Sequence, residues 1–168
     1  MRAMLCAMRS NEIFASMTPE QAAGFLGELE REDGPAYSLA LDAAAAAFRL
    51  RPHFLRRQPR ARQADWMRKA LGRTIGAPVA EEVLASYFLE HRKEMLVELL
   101  DALGIAHEDG QLTTPDPECP EADKLAPIIE TFLAGDDPEC RMLLVRAFAA
   151  QSGVTWPALE ELLEKRSG

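Results

Sequence analysis

Nine basic side chains lie between Arg49 and Arg73 (Arg49, Arg51, Arg56, Arg57, Arg60, Arg62, Arg68, Lys69 and Arg73), with Asp65 as the single carboxylate among them. Phe48, Phe54 and Trp66 are interleaved with them. Cations alternating with aromatic rings are the composition of an anion-binding surface, because guanidinium and ammonium groups neutralise carboxylates or phosphates while the rings supply flat apolar contact. The segment carries a local net charge of +8 in a chain of net charge -8, which leaves -16 for everything else. Arg56, Arg57, Arg60, Arg62, Lys69 and Arg73 are the residues expected to meet an anion or a partner. The plainest alternative is internal pairing, since Asp65 lies four before Lys69 and three after Arg62. Further along, Glu82, Glu90, Glu94 and Glu98 at near-helical spacing offer an acidic face on which the arginines can rest.

Other groups able to do chemistry are sparse. His91 and Glu94, with Glu90 and Glu98 nearby, are half of a carboxylate and histidine metal site. No facing helix supplies matching ligands, so no metal and no cofactor are expected. His91 follows Tyr87 by four, and a phenol hydroxyl satisfying a buried imidazole accounts for it equally well. His107-Glu108-Asp109-Gly110 is read as loop chemistry. Cys119 and Cys140 near helix starts are read as unreactive thiols that do not pair. Together with Cys6 they make an odd count without a CxxC pair, which argues against a disulfide framework or a structural zinc site. The chain has no GxSxG, HExxH, phosphate-cradling glycine loop or dinucleotide fingerprint, so no catalytic residue is assigned.

The elements that must hold these groups are helical throughout. Val79 to Leu103 carries the longest amphipathic pattern, with Pro78 at its start and Gly104 at a left-handed stop. A row repeating every four residues drifts around a 3.6-residue helix, which implies one packing partner before it and another after it. Thr18-Pro19-Glu20-Gln21 reads as a capping box, Pro35 and Pro59 open further helices, and HFLRRQ is a brief turn between them. Three short helices are expected near Glu121 to Ala134, Pro138 to Gln151 (stopped by Gly153) and Trp156 to Lys165. Asp116-Pro117-Glu118-Cys119 echoes Asp137-Pro138-Glu139-Cys140, each copy near a helix start. No strand pattern competes.

The fold expected is all-α, an irregular bundle of about seven helices around one long central helix. Residues 1–17, with Met1, Met4, Leu5 and Met8 at helical spacing, form an extension or docking helix. Residues 18–168 form a single domain of two sub-bundles, 18–104 and 119–168, joined by the loop 105–118. The chain is 48% hydrophobic, which is ample for a core, and it has neither a run of eighteen apolar residues nor a signal-peptide core. It reads as a cytoplasmic protein-interaction module without enzymatic activity, taking an acidic protein partner. Nucleic acid or another polyanion on segment 49–73 is the alternative, and a small enzyme with a site between the sub-bundles near His91 or His107 is the third reading. Membrane binding is not expected.

Overall fold

The computed structural model describes residues 9–151 and 154–167, so the methionine-rich start, Cys6 and the Gly153 stop lie outside the described residues. The fold is all-α, with ten α-helices among the described residues where the sequence suggests about seven. Two compact units divide the chain in sequence between His91 and Arg92.

The unit Arg9–His91 holds α1 (Ser10–Ser16), α2 (Pro19–Glu32), α3 (Gly34–Ala47), α4 (Pro52–Arg56), α5 (Arg60–Leu71) and α6 (Ala77–Ser86). The Thr18 hydroxyl accepts from the Gln21 amide while the Gln21 side chain accepts from the Thr18 amide, the reciprocal cap expected at α2. Asp33 stops α2 and caps α3 through the Ala36 amide. α3 buries Ala36, Ala40, Ala44 and Ala45, and these small side chains let α5 and α6 approach closely. α1 packs on α5 and α6 with Ile13 and Phe14 buried, so the later part of stretch 1–17 is a docked helix. Phe14, Phe25, Tyr87 and Phe88 form a chain of edge-on rings at centroid spacings of 5.8, 4.9 and 5.0 Å. Such pairs add to the burial of their large apolar surfaces.

The long central helix is interrupted. α6 gives way to a π-turn at Tyr87–His91, the backbone bends at Arg92 (φ −131°, ψ 33°), and α7 (Lys93–Leu103) begins anew. The cause lies in Asp33. Its Oδ2 accepts from Ser86 Oγ at 2.5 Å and lies 3.4 Å from His91 Nε2. In a regular α-helix residues five apart point about 140° away from each other, at about 100° per residue, so both could not reach one carboxylate. The wider i→i+5 turn brings them to the same side.

The unit Arg92–Gly168 holds α7, α8 (Ala122–Leu133), α9 (Pro138–Ala149) and α10 (Pro157–Ser167). α8 packs against each of the other three. Gly104 closes α7 at φ 71°, and the Ile105 amide donates to the Leu100 carbonyl, as expected of a left-handed stop. The stretch read as strandless contains a minimal hairpin, β1 (His107–Glu108) and β2 (Gln111–Leu112). Asp109 and Gly110 both have positive φ, 53° and 91°, which is the Asp-Gly turn that closes tight hairpins. The two Asp-Pro-Glu-Cys copies differ in use. Asp137 caps α9 through the Cys140 amide. The first copy is irregular chain ahead of α8, and its Pro117 carbonyl accepts from the buried indole of Trp156 at 2.9 Å.

Candidate partner-binding face

The cationic segment is built around a buried amide that the sequence reading passed over. Gln63 on α5 is 1% exposed and uses its full hydrogen-bonding capacity. Its Oε1 accepts from Tyr37 Oη at 2.7 Å and from an Arg60 guanidinium nitrogen at 3.2 Å. Its Nε2 donates to the Gln58 carbonyl at 2.7 Å and to the Arg56 carbonyl at 3.1 Å. Carbonyls at the end of a helix as short as α4 have no partner in the helix itself, and Gln63 supplies one. Together with the fully buried Leu55, this pins α4 to α5 and leaves Arg56 and Arg57 exposed.

Aromatic rings line the same face. Trp66 on α5 lies between Phe48, which caps α3, and Phe54 on α4, with centroids 6.5 and 6.0 Å away and planes tilted by 31° and 34°. Phe54 is 45% exposed, unusual for a phenylalanine. The Arg73 guanidinium sits over the Phe48 ring at 4.5 Å and also reaches the Ala47 carbonyl. Arg62, Trp66, Lys69 and Arg73 follow one another at i, i+4, i+7 and i+11, so a single stripe of cations and an aromatic ring runs along α5 and just past its end.

Internal pairing accounts for part of the charge. Arg60 bonds Glu30 at 2.7 Å, while Arg68 and Lys69 share Asp65 at 2.8 and 2.9 Å. Those two cations, Lys69 ahead of Arg68, hold the Asp65 carboxyl below the usual range. Arg62 reaches the Gln58 side-chain oxygen at 3.3 Å and, among the described residues, no carboxylate. Among the described residues, Arg49, Arg51, Arg56, Arg57, Arg62 and Arg73 form no ion pair with a carboxylate, and all six are exposed. No cation of the segment pairs with Glu82 or Glu90 among the described residues. Glu98, expected on the same acidic face, instead takes a forked bond from Arg141 at 2.9 and 3.0 Å.

The other polar groups and thiols are described by their surroundings. Ser86 Oγ donates to Asp33, so its proton is held by the carboxylate and not by an imidazole, which is no arrangement for a serine nucleophile. His107 accepts from the Gly110 amide at Nδ1 and so carries its proton on Nε2, which meets Asp101 at 2.8 Å; both ring nitrogens serve the hairpin. Burial pushes the Cys119 thiol up, away from a reactive thiolate. No group of three or more His, Cys, Asp or Glu among the described residues is placed to hold a metal, and no helix among them is long and apolar enough to cross a membrane. Comparisons with known protein families, with curated proteins and with solved structures find no match to this chain.

Proposed function

We propose that this chain is a non-catalytic, cytoplasmic interaction module whose face on α4 and α5 takes an acidic segment of a partner protein. The observation that carries the reading is the set of six exposed arginines between Arg49 and Arg73 that form no ion pair with a carboxylate among the described residues, in the same segment as the Phe48, Trp66 and Phe54 rings. Uncompensated surface charge steers an oppositely charged partner, and exposed aromatic rings beside arginines provide the flat, low-entropy anchors typical of interfaces. An odd count of three cysteines without a CxxC pair suits a reducing compartment. A second reading, single-stranded nucleic acid, draws on the same three-ring ladder, since bases stack on aromatic platforms flanked by cations.

Anisotropy of a labelled Asp/Glu-rich peptide and of a labelled oligothymidylate, both at low salt, separates the two. The peptide is expected to bind, to weaken by at least about tenfold in Arg56→Ala/Arg57→Ala/Arg62→Ala, and to be released by about 0.5 M salt. Tighter binding of the oligonucleotide, with a steep loss on a logarithmic salt scale, would replace this reading with the second. Failure of both probes would leave the face as solvated surface.

A further inference from the structure

The two units differ sharply in charge. Arg9–His91 contains eleven basic and eleven acidic residues, whereas Arg92–Gly168 contains seven and sixteen. The most uniform acidic stretch of the second unit is the irregular chain ahead of α8 together with the first turn of that helix, where Asp116, Glu118, Glu121 and Asp123 are all exposed and no cation occurs before Lys124. Glu121 has Lys124 at 3.5 Å, and the other three form no ion pair among the described residues. Pro115, Pro117 and Pro120 stiffen this stretch, and each proline biases the residue before it toward extended backbone. The bond from Trp156 to the Pro117 carbonyl ties it to the body of its unit while the flanking carboxylates stay outside. A stiff segment loses little conformational freedom when it docks.

We infer that the acidic segment 113–123 of one copy of this chain docks on the arginine and aromatic face of a second copy. This rests on the reading of that face given above and names its occupant. Asp116 and Glu118 supply carboxylates for the arginines of α4 and α5, and the exposed Pro115 ring supplies an apolar surface for Phe54 and Trp66. Because the two surfaces differ, a docked pair keeps one of each unused, and association is head-to-tail and can add further copies.

Sedimentation velocity of the full chain, from micromolar to millimolar at about 20 mM salt, tests this, since the screening length there is roughly 20 Å. The mean mass is expected to rise with concentration and to return to that of the monomer at about 0.5 M salt. Arg56→Gln/Arg57→Gln/Arg62→Gln and, separately, Asp116→Asn/Glu118→Gln are expected to stay monomeric while keeping the wild-type circular dichroism. Mixed in equal amounts, the two variants form a complex that stops at the dimer, because each retains one competent surface. A wild-type chain that stays monomeric throughout overturns the inference, and so does a folded pair of variants that fails to combine. If the labelled acidic peptide still binds in either case, the face keeps its proposed role and only the self-docking fails.

Discussion

Gln63 shows how much one residue can organise without leaving a trace in sequence pattern. Its neighbours across four hydrogen bonds come from α3, from α4 and the turn after it, and from its own helix, and nothing in the string RARQADW marks the glutamine as buried. Gln63→Leu keeps the approximate volume but strands the Tyr37 hydroxyl and two carbonyls. At about 1–3 kcal/mol for each buried polar group left unpaired, urea unfolding should show a loss of at least about 2 kcal/mol. A change within about 0.5 kcal/mol would mean that α4 is held by Leu55 alone. Asp33 makes a second case, testable by pH. The Ser86 hydroxyl, more than any other group, lowers its pKa, helped by the Ala36 amide and His91 and opposed by burial. The fold therefore favours the carboxylate over the acid. That contribution is complete above the unfolded-state value of about 3.9 and drains away as pH falls from there through the lower folded-state value. Asp33→Asn keeps a capping oxygen and cannot ionise, so its stability deficit relative to the wild type should shrink as pH drops below about 4. A deficit that stays constant across that range would rule out an ionised Asp33 as the source.

Among the elements, those governed by neighbours in sequence were legible and those governed by distant contacts were not. The Thr18 cap, the proline starts at α2, α3 and α9, and the Gly104 stop each depend on a few adjacent residues, and all appear where the sequence puts them. The break at Tyr87–His91 depends on Asp33, 53 residues before Ser86, and no periodicity in the helix itself announces it. The hairpin after α7 is different, because its Asp109-Gly110 pair is a local signal but the strands it joins are only two residues each, too short to show an alternating pattern. Arg141 is the long-range lock of the second unit. Only 8% exposed, it joins Glu98 on α7 to the Phe132 and Asp136 carbonyls around the α8–α9 turn and lies over the Phe132 ring at 4.7 Å. Gly135 makes room for it, since a Cβ there would fall 2.5 Å from the guanidinium carbon. Gly135→Ala should displace the guanidinium and cost about 1–3 kcal/mol in thermal or urea unfolding. The same change in an Arg141→Ala background should cost far less, and equal costs in the two backgrounds would show that the glycine serves the backbone and not the arginine.

At the scale of the whole molecule the dominant fact is unevenness of charge. The sequence exposed it directly, because a run of nine cations against one carboxylate needs no structure to be counted. The pairing of Lys69 with Asp65 was legible in their spacing of four within α5, whereas that of Arg60 was not, since Glu30 reaches it from another helix. The face could be named from its residues in advance, but its ring ladder and its buried amide could not, because both join three helical elements that only the fold brings together. A sequence isoelectric point near 5.0 suggests a uniformly anionic particle. The cationic face gives it a local patch of the opposite sign, so at neutral pH and low salt it is expected to adhere to a sulfonated cation-exchange resin through that patch as well as to a quaternary-amine resin through its bulk charge. Elution order on either column then reports which patch faces the bead and not the net charge of the molecule.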